Sequence, residues 1–433
     1  MSGAGGFGGS GGFAGSGGFP DQDAATDGAA SFVDASPEGP LVCPAMAIPG
    51  DCSPPPDVRC PYPKLSQTGC VDPTNPLQLA ASVIPYEVNS PLWSDGALKT
   101  RGMRIPAGKK IHVKDCVKNP TQCQVGNPNN FPNFLPPYDD GKWVFPVGTV
   151  MVQNFMFTDY STLSGVKLVE TRLLVHFDEA TWVGYGYQWN DAQTEATIVP
   201  DAASNPTFVP AGADVAVQAT FTTRYGLITW NYPDRAACMK CHVSTVNNVP
   251  FPPVVTGGSV LGPETSQMNR VVLAANGVDQ INQIDKLNAL NLFDVPPPMP
   301  YKTALVAPYA GQAGTPPADA TLEQRARSYL HANCSFCHRP DALIFYAMDL
   351  RYDVPLKSTG TCNVLPDKGD QGVLGASRLT PGDPARSVLW LRVNTQTAVN
   401  GRMPQLGSYV IDTDAVLLLS DWIRSIRPSD CGP

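Results

Sequence analysis

Two copies of the pattern Cys-x-x-Cys-His, at Cys238-Met-Lys-Cys241-His242 and Cys334-Ser-Phe-Cys337-His338, constrain this chain more than any other feature. With 12 cysteines and 5 histidines in 433 residues, composition alone would produce about 0.004 such patterns, so two copies call for a chemical reason. Thiols at this spacing reach both vinyl groups of one porphyrin, and the imidazole that follows binds its iron from below. The expectation is two covalently bound haem c groups, with Cys238, Cys241, Cys334 and Cys337 as attachment points and His242 and His338 as iron ligands. A thioredoxin-like pair would want a β-α-β setting that neither site has. A zinc site would need both pairs to combine, which leaves the paired histidines idle.

Each iron then wants a second axial ligand. Met403, in the loop Gly401-Arg-Met-Pro-Gln-Leu-Gly407 between two predicted helices, suits the C-terminal haem, since a methionine flanked by Arg and Pro packs poorly as core. For the N-terminal haem Met299, Met268 and His176 are the candidates, with Met151, Met156 and His112 remoter, and an open sixth position is an alternative. His331, on the helix leading to Cys334, reads as a partly exposed helix residue. Asn190-Asp191 reads as a turn, and Glu170 and Asp178 as strand-face and turn carboxylates.

The other eight cysteines, Cys43, Cys52, Cys60, Cys70, Cys116, Cys123, Cys362 and Cys431, fit four disulfides and therefore an oxidising compartment. Cys116 with Cys123 and Cys362 with Cys431 are the natural pairs, and the first four allow three pairings. The expected location is periplasmic or at the cell surface. No charged stretch followed by an apolar one opens the chain, which suggests a mature or trimmed form or a start placed too late. No apolar run is long enough for a membrane span. A formal charge of −8 argues against nucleic acid and favours a basic or neutral redox partner protein.

The chain divides by pattern. Residues 1–42, with Gly-Gly-Phe recurring at 5–7, 11–13 and 17–19, read as a disordered tail or spacer. Residues 43–230 hold a Cys/Pro-rich segment and then short β-branched and aromatic runs such as Glu170-Thr-Arg-Leu-Leu-Val-His-Phe177, the mark of an all-β, sandwich-like domain. Residues 231–318 carry the first motif and two short helices, around 262–270 and 279–292. Residues 319–433 begin with a Thr321-x-x-Gln324 capping box and hold helices at 385–393, capped by Asp383-Pro384, and at 413–427. The fold expected is thus α+β and multidomain: the β domain, then a mainly α-helical cytochrome c-type haem domain of class I.

Several segments together, Asn89-Ser-Pro-Leu-Trp-Ser-Asp-Gly-Ala-Leu-Lys99, Phe145-Pro-Val-Gly-Thr149, Glu170-Thr-Arg-Leu-Leu174, Tyr187-Gln-Trp-Asn-Asp-Ala-Gln193, Leu261-Gly-Pro-Glu-Thr265 and Tyr329-Leu-His-Ala-Asn-Cys334, resemble a bacterial family of exported dihaem c-type cytochromes, from about residue 80 to the C-terminus. The resemblance implies a one-electron carrier in the periplasm or at the cell surface that serves a dehydrogenase or another cytochrome. In that pattern leucine is common where this chain has Met268 and Met299. Two other activities remain open: a dihaem peroxidase or oxidase, whose first haem lacks a sixth protein ligand, and a haem subunit of an extracellular filament, with the Gly-rich tail as connector.

Overall fold

Apolar and aromatic residues at alternate positions give the chain its first eight strands: β1 (Ile84–Tyr86), β2 (Leu98–Arg104), β3 (His112–Val113), β4 (Trp143–Val144), β5 (Val150–Thr158), β6 (Val166–Asp178), β7 (Thr181–Trp189) and β8 (Ala196–Ile198). In this computed structural model six of them make one antiparallel sheet, in the order β1-β2-β5-β6-β7-β8, and β3 pairs with β4. The structure describes residues 43, 46–72, 74–114, 141–159, 165–179, 181–200, 215–223, 226–246, 254–274, 276–311, 314–339, 342, 348–395, 401–405 and 407–432. The proposed tail at 1–42 and the Cys116–Cys123 pair lie outside them. Cys43–Pro433 is one compact unit.

Strand alternation sends successive side chains to opposite faces, and both faces of the sheet are covered. On one, Val150, Val152, Leu173, Val175, Tyr185, Tyr187 and Trp189 bury against Cys52, Leu65, Cys70 and Val71 of the Cys-rich segment. That segment is pinned by the Cys43–Cys60 and Cys52–Cys70 disulfides, and Tyr185 and Tyr187 donate their hydroxyls to Val58 O (2.7 Å) and Tyr62 O (3.0 Å). On the other face Phe155, Phe157 and Val169 pack under Ile228, Trp230 and Tyr232 of a hairpin, β9 (Val215–Thr223) and β10 (Gly226–Pro233). Val169 is the extra residue of a bulge, since Phe155 faces Glu170 and Met156 faces Leu168.

The remaining elements follow in order: α1 (Arg235–Cys241), the ribbon β11 (Val243–Val246) and β12 (Val254–Gly258), α2 (Thr265–Met268), the ribbon β13 (Val271–Leu273) and β14 (Gln280–Asn282), α3 (Gln283–Ala289), α4 (Leu322–Cys334), α5 (Val388–Val393) and α6 (Thr413–Ser425). Met239 of α1, Met268 of α2 and Ile284 and Leu287 of α3 close the second sheet face with Met103, Met151 and Trp182.

The expected mainly α-helical cytochrome domain is not what forms. Among the described residues of 319–433 only α4 and α6 reach thirteen residues, and α5 has six. The molecule is predominantly β and loop. The reason is local: Pro355, Gly360, Pro366, Gly369, Gly372, Gly375, Pro381, Gly382 and Pro384 punctuate the stretch between α4 and α5, and Pro breaks a helix while each Gly weakens it. A covalent bridge, Cys362–Cys431, and short contacts such as Cys362 with Leu379 hold these loops instead. The helix expected at 385–393 splits into a 3-10 turn at Pro384–Arg386, capped by Asp383, and α5. Helices expected at 262–270 and 279–292 shrink to α2 and α3, with the β13–β14 hairpin taking the space between them. The β part is likewise one sheet flanked by two-stranded ribbons rather than two stacked sheets.

A strand-less stretch, Glu87–Asp95, ties these parts together through side chains. Gln283 accepts from Glu87 N and donates to Glu87 O, both at 2.9 Å. Gln267 does the same for Ser90 N and O, both at 2.8 Å. Farther along, Ser90 Oγ donates to Ser328 O (3.0 Å), Asn333 Oδ1 accepts from Trp93 N (2.6 Å), and Asp95 Oδ1 accepts from Tyr409 N (2.6 Å) and Val410 N (2.8 Å).

Three disulfides among the described residues belong to an oxidising, non-cytoplasmic compartment. No helix there is long and apolar enough to cross a membrane.

Replacing Gln267 with Leu keeps its bulk but strands Ser90 N and O in the interior. At about 1–3 kcal/mol for each unsatisfied group, Gln267→Leu is expected to lower unfolding stability by roughly 2–6 kcal/mol. A denaturant titration checks this as a shifted midpoint at unchanged slope.

Candidate cofactor-attachment site

The first motif sits where β10 turns into α1. Asp234 caps that helix, its Oδ1 accepting from Ala237 N at 2.7 Å, and Arg235 Nη1 reaches Val58 O at 3.1 Å. The helix lies against β7 so closely that a Cβ on Gly184 would stand 2.8 Å from Cys238 Cβ and Sγ. Only glycine permits this approach. At the helix end His242 N bonds Cys238 O (3.2 Å), and His242 exchanges two more bonds with Ser259: Nδ1 lies 2.9 Å from Ser259 O, and Ser259 N bonds His242 O at 3.0 Å. A carbonyl can only accept, so Nδ1 carries the proton and Nε2 keeps its lone pair. Burial pushes this imidazole below its usual pKa, so it stays neutral, as a metal ligand must.

The second motif closes α4. Its Thr321 capping box is complete, with Gln324 N on Thr321 Oγ1 (3.1 Å) and Thr321 N on Gln324 Oε1 (2.8 Å). Ala326, Tyr329 and Leu330 bury against Leu418, Leu419, Trp422 and Ile423 of α6. The chain then turns, with Cys337 N (3.1 Å) and His338 N (2.8 Å) both bonded to Cys334 O. His338 Nδ1 is buried with no hydrogen-bond partner. Burial, with Arg378 and Arg392 adding to it, pushes the His338 pKa down to about 4.

All four motif cysteines are free thiols, whereas the other described cysteines are bridged. Burial pushes Cys238 and Cys334 up to about 12. The two motifs come together: the thiols of Cys241 and Cys337 act on each other, which holds Cys337 below its usual pKa and Cys241 above it. Among the described residues no group of three or more His, Cys, Asp or Glu is arranged to hold a metal ion.

The second-ligand candidates fare differently. Met403 is half-buried, its N on Arg392 O at 3.1 Å, while Arg392 Nη1 holds Gly401 O at 2.7 Å. Arg392 therefore anchors the Met403 loop and also acts on His338. Met299 is 73% exposed and Met268 fully buried in the apolar cluster, with Gln283 Nε2 at 3.4 Å from its sulfur. His176 is buried and stacked on Trp182, ring centroids 4.2 Å apart, two register positions along the strand pair from Leu174 with Gly184. Met151 is buried in the same cluster as Met268, Met156 packs half-buried under the opposite face, and His112 Nδ1 pairs with Asp294 at 2.8 Å. His331 is committed elsewhere: its Nδ1 accepts from Tyr352 N (3.0 Å), and its Nε2 lies 2.7 Å from Glu264 Oε1.

Arginines are what the sequence reading missed. Glu170, expected on a strand face, is fully buried and takes Arg172 Nε and Nη2 at 2.8 Å each, plus Trp230 Nε1 at 2.9 Å. Burial opposes the Arg172 charge, but this carboxylate more than offsets it and raises the pKa. Arg172 in turn acts on Cys238, Cys241 and His242. The only signal for it was its place in the segment Glu170–Leu174. Asn190-Asp191 is the turn expected, closed by Thr194 N on Asn190 Oδ1 at 3.0 Å.

No family model, curated protein or solved structure matches this chain.

Two predictions follow from these contacts. In protein carrying unmodified thiols, mild oxidation is expected to join Cys241 to Cys337, giving a cross-linked peptide on non-reducing mapping that Cys337→Ser abolishes; bridges confined within each motif would contradict the geometry. Asp412 caps α6 through Ala415 N (3.1 Å) and accepts from Tyr309, and burial pushes its pKa up to about 6. A carboxyl raised on folding stabilises fully below about pH 4 and loses that contribution as pH rises through 6, about 3 kcal/mol in all. Asp412→Asn, which preserves the cap, should remove this loss. The stability difference between the two proteins should change across pH 4–7 and be flat above it.

Proposed function

We propose that this chain is a dihaem c-type electron-transfer protein of the periplasm or cell surface. The observation that carries the reading is the meeting of the two motifs through Cys241 and Cys337. Supporting it are four unbridged thiols where the other described cysteines are bridged, and two buried, neutral imidazoles. Haem iron, when bound, supplies the one-electron chemistry. The protein's part is attachment and orientation. Each thiol pair would add across the vinyl groups of one porphyrin, and His242, fixed by Ser259, would offer Nε2 to its iron. His338 would do so from a buried turn, and the Arg392-anchored loop would offer Met403 on the C-terminal side. With Cys241 and Cys337 as neighbours, the two attachment edges adjoin, which suits passage of an electron from one site to the other without a protein intermediary.

A net charge of −8 fits a basic or neutral redox partner, a dehydrogenase or another cytochrome. A second reading, a haem-dependent peroxidase or oxidase, is favoured by one observation: Met299 is exposed and Met268 is engaged in the core, which leaves the His242 side without a methionine donor.

Pyridine haemochrome analysis of protein matured in a periplasm is expected to find two haems per chain, and one in Cys334→Ala/Cys337→Ala. Optical and low-temperature EPR spectra should show the weak red-edge sulfur-to-iron band of His/Met ligation, lost in Met403→Ala. A single haem in the unaltered chain would sink the proposal. A high-spin iron that turns over peroxide would instead select the enzyme.

A further inference from the structure

Buried arginine nitrogens in this protein are not all matched to acceptors: Arg327 Nε and Nη1 lack one, although Nη2 of the same residue is bonded. Arg351 holds Asp349 through Nε (3.0 Å) and Nη2 (2.6 Å), and Arg327 Nη2 serves Arg351 O (2.7 Å) and Val354 O (2.6 Å). Arg402 is 4% exposed, yet its Nε and Nη1 are buried without a hydrogen-bond partner. A guanidinium cannot shed its charge, and a buried charged donor left unpaired costs more than the 1–3 kcal/mol or so of a neutral one. The Tyr409 ring, 4.9 Å from the guanidinium carbon, offers a cation–π contact but no acceptor. Asp95 lies near enough to act on Arg402 by charge, but its Oδ1 is spent on the Tyr409 and Val410 N–H groups.

The location of this cation narrows what it serves. Arg402 immediately precedes Met403, in the loop that Arg392 anchors through Gly401 O and Met403 N, and Arg392 acts on His338. Arg402 thus belongs to the loop that carries Met403, the ligand candidate for the second motif. Resting on the dihaem reading, we propose that Arg402 receives a propionate carboxylate of the porphyrin attached at Cys334 and Cys337. Carboxylates are the natural acceptors for a guanidinium, and the two propionates are the anionic groups of the porphyrin rim. Arg402 is therefore a positioning residue that seats the macrocycle and sets its charge.

The test uses the full chain, matured with haem, as Arg402→Leu and Arg402→Lys. Removing the cation favours the ferric state, so in Arg402→Leu the reduced-to-oxidised ratio of one haem at fixed potential should fall about tenfold, about 59 mV for one electron. Arg402→Lys should recover most of it. The propionate bending mode in the resonance Raman spectrum should shift in both variants, which keeps the test decisive if the Leu variant folds poorly. Two retained haems with unchanged potentials and an unchanged propionate mode would overturn the assignment while leaving the dihaem reading intact. Fewer than two haems in the unaltered chain would take both down.

Discussion

The structure depends on a stretch of backbone that belongs to no strand. Glu87–Asp95 is buried in large part, and a buried N–H or C=O must find a partner. With no ladder to join, it is served by side-chain amides and carboxylates: Gln283 at Glu87, Gln267 at Ser90, Asn333 at Trp93, and Asp95 itself reaching Tyr409 and Val410. A glutamine that both accepts from N–H and donates to C=O of one residue imitates a neighbouring strand. Those partners sit on α3, on α2, on α4 one residue before Cys334, and in the segment after the Met403 loop. The sheet bearing the first motif is thereby locked in register with the helix bearing the second, and the Cys241–Cys337 contact follows from that lock.

What was legible in the sequence was whatever is encoded locally. The capping box at Thr321, the Asp383-Pro384 turn, the alternation in β5–β7 and the Cys362–Cys431 pairing depend on neighbours in sequence or on a covalent constraint, and each is found. The helical domain was over-read because apolar spacing around 385–393 was given more weight than the run of Pro and Gly before it. The clasp was invisible in principle: a side-chain amide bonding backbone 177 or 196 residues away leaves no periodic trace. The resemblance segments carried part of it nonetheless, since Ser90, Trp93 and Asn333 all fall within them, and so do Glu264 and His331, which pair at 2.7 Å.

At the candidate site, the thiols and imidazoles came from motif spacing and the cations did not. Of the methionines, Met403 and Met299 have similar settings in the sequence, each followed by Pro in a loop. The fold separates them: one is anchored by Arg392, the other is exposed. Only long-range packing makes that distinction.

The charge distribution carries the last step. The chain is acidic overall, yet the interior beside the motifs is cationic. Arg172 acts on the first motif, Arg378 and Arg392 on the second, and Lys99 is buried near Arg101 and Arg172, its ammonium held well below the usual pKa by burial first and by those two cations next. In a medium of low effective dielectric such charges act over several ångströms with little screening. Gaining a positive charge costs energy in that field and losing one is favoured, so on the dihaem reading Arg378 and Arg392 would bias the second site toward the reduced state, whereas at the first site the buried Glu170 carboxylate opposes Arg172. The acidic exterior does the opposite, but through water and salt, and so more weakly. Burial thus gives the interior charges more weight at the site than the same charges would carry on the surface.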